Sequence, residues 1–495
     1  MVTERVIVRK IDEAFLHIEC EQSTERELSE HFCFYVPGYK FMPAYRNRMW
    51  DGKIRLFDMR KKTLYSGLYW YLKEFCEERE YNLESEISLI PDYNPHFLTD
   101  CLKKTKLPTN IIPRDYQLNA LKHAIRSFRT LLLSPTASGK SLIIYLLCRY
   151  FLEEESSKKI LIVVPTVSLV EQMYTDFGDY SQNDNNFNHD EYCKRIHGGV
   201  DKGIFHERIV ISTWQSIHKK PKEWFKNFGM GIGDEAHQFK AKSLTSIMEK
   251  CSNASYRIGT TGTLDGTQTH QLVLEGLFGP VHKVTTTKAL MDSDQLAKLD
   301  ISVLLLKYKE EYCQVVSKLK YQQELDFIVA YAPRNNFIAN LALDQEGNTL
   351  ILFNYVEKHG KPLHDLLKDK VDKDRRLFYV SGETPVDARE QIRAITEKED
   401  NAIIVASLGT FSTGINIKRL HNLIFASPSK SQIRVLQSIG RGLRVSGDGI
   451  DTKVYDIADD LHWKNKKNYT LNHAGERIKI YSKEKFKYKI YEVNI

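Results

Sequence analysis

The sequence lacks any apolar run long enough to cross a bilayer. Its longest, such as Leu142 to Cys148, falls far below the roughly 20 residues that a spanning helix needs. The first residues, Met1 to Phe15, mix charged with apolar side chains, so no hydrophobic signal segment is expected there. Cysteine is sparse: eight residues, scattered singly, with no C-x-x-C pair and no Cys/His ligand spacing. That argues against a disulfide framework or a zinc site and points to reduced thiols inside a cell. No internal repeat at a period of roughly 20 to 50 residues is visible, which argues against a solenoid or propeller. Net charge is also small, +7 from 71 basic and 64 acidic residues. With 42% hydrophobic and 27% charged residues the composition is globular, not disordered.

What is present is length and rhythm. At about 150 residues per domain, 495 residues suggest about three domains. Short apolar runs at Thr130–Pro135, Lys159–Pro165, Arg208–Thr213, Met230–Asp234 and Arg257–Thr261 alternate with helix-length stretches, the pattern of βαβ units in a parallel sheet. The same grammar restarts at Thr349–Tyr355, Arg376–Ser381, Ala402–Ser407, Leu423–Ser427 and Lys453–Ile457. Two α/β sheets in tandem are therefore expected, with a boundary near residue 285 after Gly279-Pro280. Residues 1 to about 100 have more alternation and more aromatics, which suggests a small α+β module. Past residue 465 a helix from Asn472 to Glu484 and an alternating strand through Phe486, Tyr488 and Ile490 are expected.

Three short segments carry chemistry. Ser134-Pro135-Thr136-Ala137-Ser138-Gly139-Lys140-Ser141 follows one expected strand and opens a helix, the context a phosphate-binding loop needs. Backbone N–H groups at the helix start face phosphates, Lys140 supplies positive charge to them, and the Ser141 hydroxyl suits Mg²⁺. Gly233-Asp234-Glu235-Ala236-His237 ends a strand 94 residues after Lys140, a spacing that suits a neighbouring strand of the same sheet. Asp234 would hold Mg²⁺, and Glu235 would orient and deprotonate the attacking water. In the second sheet, Gln437-Ser438-Ile439-Gly440-Arg441-Gly442-Leu443-Arg444 places Arg441 and Arg444 on one helix face. They are expected to act as arginine fingers toward the γ-phosphate.

Taken in order, these segments resemble the motifs of superfamily-two helicases of the DEAH spelling, over about residues 110 to 445. The resemblance adds Arg114 and Gln117 as adenine-recognising residues, and Ser138 and Gly139 as part of the nucleotide loop. Pro165, Thr166, Gln172 and Thr213 would line the nucleic-acid path. Thr261-Gly262-Thr263 would couple hydrolysis to strand movement. Ser407, Gly414 and Asn416 fall in motif V, and Gln437 with Gly440 in motif VI. The departures from the family pattern are Ser134, Gly262 and Asn416. The segment from Phe41-Met42-Pro43 to Trp50-Asp51-Gly52-Lys53-Ile54-Arg55-Leu56-Phe57 is similar to the accessory domain of T-even-type phage UvsW helicases, as is the closing segment around His473, Glu476-Arg477 and Tyr481. The resemblance implies four segments: 1–100, an accessory nucleic-acid-binding module; 101–285 and 286–460, two RecA-like motor domains; and 461–495, a C-terminal extension. It also implies an ATP- and Mg²⁺-dependent, 3′-to-5′ DNA helicase on forks, Holliday junctions and R-loops, in recombination, repair and replication. A monomeric motor in the host-cell cytoplasm is expected, with single-strand-binding or recombination proteins as candidate partners and no membrane.

Charge is distributed unevenly. Residues 38–62 hold eight basic and two acidic residues, and residues 464–495 hold nine and three. The stretch 63–100 is acidic, with two basic and eight acidic residues. Arg46, Arg48, Lys53 and Arg55, interleaved with aromatics, are read as a DNA contact. Phe41 and Phe57 are expected in the module's core, and Trp50 is left between core and base stacking. The terminal lysines fit either DNA binding or protection of a sheet edge. His197 is expected to be structural. Duplex translocation without strand separation, ATP-switched annealing, and RNA as the main substrate remain the competing functions.

Overall fold

The computed structural model describes residues 4–86, 94–135, 137–155, 157–198, 205–239, 242–264, 268–293, 299–414, 417, 419–427 and 452–495. The chain divides into two compact units, Met1–Ser134 with Gly139–Val284 and Pro135–Ser138 with Thr285–Ile495.

The N-terminal module is a four-stranded mixed sheet. Its strands are β1 (Arg5–Lys10), β2 (Phe15–Glu19), β5 (Thr63–Tyr65) and β6 (Asn82–Ser85), in the order β5-β2-β1-β6. A separate antiparallel pair, β3 (Cys33–Tyr35) and β4 (Lys53–Arg55), projects a long connection. Period-two alternation sends Val6, Val8, Leu16 and Ile18 to one face, where they meet Leu28, Leu72 and Phe75 from two helices. Phe57 joins that core, but Phe41 does not: it is 76% exposed. It lies in the short helical turn Tyr39–Phe41 of the projecting connection, where Tyr39 turns inward onto Tyr35 and Tyr45 and leaves Phe41 outside.

The module is packed firmly on the sheet domain that follows it. Tyr65 Oη donates to Glu249 over 2.6 Å, Glu13 N–H to Ser252 O over 3.0 Å, and Arg129 pairs with Glu13 at 3.1 Å. Gly67 sits so close that a Cβ there would lie 2.0 Å from Glu275 O.

The first seven-stranded sheet comprises β7 (Arg129–Leu133), β8 (Lys159–Val164), β9 (Cys193–Ile196), β10 (Ile209–Thr213), β11 (Phe228–Asp234), β12 (Tyr256–Thr261) and β13 (Val281–Lys283). Its order is β13-β7-β12-β11-β8-β10-β9, and every pair is parallel. The loop strand β7 and the Asp234 strand β11 are therefore not adjacent, as their spacing suggested: β12 lies between them. The edge strands β9 and β13 escaped the sequence reading because one carries Lys194 and Arg195 and the other has three residues.

The second sheet comprises β14 (Leu299–Lys307), β15 (Thr349–Phe353), β16 (Leu377–Val380), β17 (Ile403–Ser407), β18 (Asn422–Phe425), β19 (Thr452–Asp460) and β20 (Tyr488–Asn494), in the order β16-β17-β15-β18-β19-β14-β20, again all parallel. These are tandem RecA-like domains. The closing segment is a helix, Tyr469–Lys483, followed by β20 on the sheet edge. Its lysines thus lie where charge discourages edge-to-edge pairing. The helix is locked by a buried triad: Arg477 Nε and Nη2 reach Asp456 at 2.9 and 2.7 Å, and Tyr481 Oη donates to the same carboxylate at 2.8 Å.

Removing one partner of a buried ion pair leaves the other charge stranded, which costs about 3–5 kcal/mol. Asp456→Ala should lose stability of about that size in urea unfolding, and Asp456→Leu with Arg477→Met should recover most of it. An unchanged unfolding midpoint in Asp456→Ala would contradict the lock.

Candidate functional site

Because all strands of the first sheet run the same way, their carboxyl ends fall on one edge, where ligands of open α/β sheets bind. β7 delivers the phosphate loop there, β11 delivers Asp234 and Glu235, β12 delivers Thr261, β8 delivers Pro165 and Thr166, and β10 delivers Thr213.

The loop turns through left-handed backbone at Ala137 (φ 65°) and Gly139 (φ 78°) before the helix Lys140–Glu154 begins. Gly139 is needed for a second reason: a Cβ there would come within 2.3 Å of Gln117 Nε2. Ser134 N–H donates to Thr261 O at 2.8 Å, and Lys140 Nζ reaches back to Ser134 O at 3.3 Å. Ser138 Oγ donates to Pro135 O at 2.6 Å. Gln117 is buried; its Oε1 accepts from Arg114 N–H at 2.9 Å, and its amide lies 3.5 Å from Gly139 O. Arg114 donates to Tyr116 Oη at 2.9 Å. Ser141 Oγ is hydrogen-bonded to Tyr180 Oη at 2.9 Å.

Asp234 is buried at the end of β11, and its Oδ1 accepts from Thr260 Oγ1 at 2.6 Å. Burial, and next the Glu235 charge, raise the Asp234 carboxyl above its ordinary value, while Lys140 and Thr260 favour the charged form. Glu235 adopts a left-handed conformation (φ 50°), strained for a non-glycine residue. His237 Nδ1 lies 3.1 Å from Thr261 Oγ1 and 3.4 Å from Glu235 Oε2, linking the end of β11 to the end of β12. Ser141 and Asp234 offer hard oxygen donors, the kind Mg²⁺ takes alongside phosphate and water. The edge thus carries Lys140, the Ser141 hydroxyl and the adjacent carboxylates of Asp234 and Glu235 beside the turn that opens the helix Lys140–Glu154.

The chain matches three family profiles: "DNA helicase UvsW, N-terminal" over residues 6–86, "Type III restriction enzyme, res subunit" over 110–266, and "Helicase conserved C-terminal domain" over 333–446. It is 36% identical over 505 residues to the ATP-dependent DNA helicase uvsW of Enterobacteria phage T4, covering 98% of both chains. The chain belongs to the UvsW family of ATP-dependent DNA helicases. The crystal structure of T4 UvsW superimposes with a TM-score of 0.53 at 35% identity, covering 99% of each chain. A more distant relative, the DNA 3'-5' translocase XPB2 of Sulfurisphaera tokodaii, is 24% identical over 409 residues, 75% of this chain and 86% of its own.

Other residues expected in this helicase's sites are placed as follows. Thr166 caps the helix Val167–Ser181, accepting from Leu169 N–H at 3.4 Å, and Gln172 is exposed on that helix. Pro165 is buried at the end of β8. Thr213 Oγ1 is bonded to Ser216 Oγ at 3.0 Å, and Ser407 Oγ to Thr410 Oγ1 at 2.7 Å. Gly414 ends the helix Leu408–Gly414. Asn416, Gln437, Gly440, Arg441 and Arg444 lie outside the described residues. In the N-terminal module, Arg55 pairs with Glu30 at 2.9 Å and with Asp51 at 2.8 Å, and Lys53 also pairs with Glu30. Trp50 is half-buried and donates to Lys53 O at 2.7 Å. Arg46 and Arg48 are exposed, beside exposed Phe41 and Met49. His197 is buried just past β9, with Nε2 2.7 Å from Glu171 Oε1. The sequence reading missed Thr260 and Tyr180, because neither stands inside a motif; only strand register and packing bring them to the site.

Gly139→Ala should force Gln117 off the loop and strain the turn. Affinity for a fluorescent ATP analogue should fall about tenfold or more, and an unchanged affinity would contradict the close approach described here.

Proposed function

We propose that this helicase uses ATP and Mg²⁺ to translocate 3′-to-5′ and to remodel branched DNA: forks, Holliday junctions and R-loops, in recombination, repair and replication. The observation that carries the reading is the convergence of Lys140, Ser141, Asp234 and Glu235 on one sheet edge, in a chain 36% identical across its length to a DNA helicase of phage T4. The polarity is supported by the relative described as a DNA 3'-5' translocase.

In this reading Lys140 and the loop N–H groups hold the β- and γ-phosphates, with Ser138 and Gly139 shaping the loop and Arg114 and Gln117 at the adenine end. Ser141 and Asp234 hold Mg²⁺, which neutralises phosphate charge. Glu235 orients the attacking water and accepts its proton. Arg441 and Arg444, with Gln437, Gly414 and Asn416, supply the second domain's share. Residues 1–100 act as the accessory DNA-binding module, 101–285 and 286–460 as the motor domains, and 461–495 as an extension. Pro165, Thr166, Gln172, Thr213 and Ser407 line the DNA path. The motor acts as a monomer in the host cytoplasm, alongside single-strand-binding or recombination proteins. Among the described residues no helix is long and apolar enough to cross a membrane.

Lys140→Ala and Glu235→Gln should each abolish ATP turnover while DNA binding survives; full ATPase activity in either would sink the site assignment. The sharper test of substrate compares ATPase and unwinding on duplex, single-strand, fork, Holliday-junction and R-loop DNA. Unwinding confined to branched substrates supports the reading, and translocation without strand separation would favour duplex translocation instead. A third expectation concerns the projecting connection. Each phosphate contact on duplex DNA contributes about 0.9 to the slope of log affinity against log salt. Arg46→Gln with Arg48→Gln should flatten that slope by about two contacts' worth, whereas Lys53→Gln with Arg55→Gln should change it less, because Glu30 and Asp51 already match those charges.

A further inference from the structure

Thr260 belongs to none of the expected motifs, yet its hydroxyl donates a 2.6 Å hydrogen bond to the carboxylate at the heart of the site. β11 and β12 are paired in parallel with Asp234 directly opposite Thr260. Both side chains are buried, Thr260 almost completely, and Thr260 Oγ1 donates to Asp234 Oδ1 over 2.6 Å. A threonine hydroxyl has one proton to give. Here it is given to one oxygen of a carboxylate that also accepts from the Glu235 backbone N–H. Such a bond does two things. It fixes the carboxylate's rotation, which an aspartate at a strand end otherwise keeps free, and it occupies Oδ1 from inside the protein. With Oδ1 committed inside the protein, the way the carboxylate faces a cation is set by this bond. The β-branch of Thr260 stiffens its own χ1, so the donor is itself held in place.

We propose that Thr260 is a positioning residue for the metal carboxylate: it sets the orientation in which Asp234 faces Mg²⁺. The proposal rests on the reading of Asp234 as the Mg²⁺ carboxylate. Partners one step behind a metal ligand typically change metal affinity by about 10–100-fold when removed. Thr260 is the corresponding group here, supplied by the neighbouring strand instead of by the loop that carries the ligand.

The test uses the full chain and a fluorescent ADP analogue, titrated with Mg²⁺ and, separately, in EDTA. Thr260→Val removes the donor at constant shape and keeps a residue that suits a strand; Thr260→Ala removes it without setting a methyl group against the carboxylate. Both should bind the analogue in EDTA as the parent does, and both should need about tenfold more Mg²⁺ to reach the tight-binding state. Thr260→Ser should restore the parent Mg²⁺ requirement. Asp234→Asn, measured in parallel, separates the two layers of the argument. A parent-like Mg²⁺ requirement in Thr260→Val and Thr260→Ala, with the requirement altered in Asp234→Asn, overturns the role of Thr260 alone. A parent-like requirement in Asp234→Asn overturns the metal reading and the proposal with it.

Discussion

The parallel direction of every strand in the two seven-stranded sheets is the constraint on which the rest depends. A parallel sheet must be covered on both faces, so its strands are near-continuous apolar runs and its connections are helices. The first sheet obeys this with two apolar layers, one containing Ile160, Ile162 and Ile211, the other Leu161, Val163 and Val210. Consecutive residues of one strand thus serve opposite cores. With both faces committed to packing, the carboxyl edge is where polar groups can gather. Lys140, Asp234 and Thr261 meet there although 121 residues separate the first from the last.

That geometry also gives single helices two ends with different roles. The helix Val167–Ser181 is capped by Thr166, beside the expected DNA path, and near its far end Tyr180 holds the Ser141 hydroxyl. Fifteen residues at about 1.5 Å each make one stiff element between them. Glu171, on the same helix, pairs with Arg195 and His197, which ties it to the end of β9. A shift at either end of such a helix is felt at the other because close-packed interiors do not absorb displacement locally. The N-terminal module is coupled as tightly to its neighbour. Gly67 abuts Glu275 on the helix Gln268–Phe278, which follows Thr261-Gly262-Thr263 within a few residues.

Much of this was legible in the sequence because it depends on local rules. Short apolar runs between helix-length stretches marked ten of the fourteen strands in the two parallel sheets, and alternation marked β20. The loop before Lys140 and the carboxylates after Gly233 were identifiable from strand context alone. Beyond the charged and the very short edge strands β9 and β13, what escaped depends on place in the fold and not on local pattern. β14 holds the apolar run Val303-Leu304-Leu305-Leu306 but stands apart from the βαβ rhythm that begins at Thr349. The place of β12 between β7 and β11 is a matter of topology, which spacing does not encode. Phe41 looked like core because aromatic residues usually are. It is exposed because the pair β3–β4 carries it away from the sheet, while Gly52, at φ 82°, makes room for Tyr39 to pack instead.

The charge pattern shows the same division between what composition reveals and what contacts decide. Eight cations between residues 38 and 62 suggested a uniform basic stripe. In the folded module Lys53 and Arg55 share Glu30, and Lys62 pairs with Glu25 at 2.8 Å. Glu30 is held below the usual carboxylate range by those two cations, Lys53 first. Exposed pairs of this kind contribute little stability, but they lower the net field that a phosphate backbone would meet. Lys40, Arg46, Arg48, Arg60 and Lys61 form no ion pair among the described residues, and Arg46 and Arg48 precede the exposed Met49, with Phe41 on the same connection. Unpaired cations and exposed apolar side chains are thereby concentrated on one projection, whose neck is secured by Trp50 and by the ion pairs of Lys53 and Arg55 with Glu30 and Asp51. Two cations of the basic stripe, Lys53 and Arg55, thus build the neck of the projection, while Lys40, Arg46 and Arg48 stand along it outside any ion pair among the described residues.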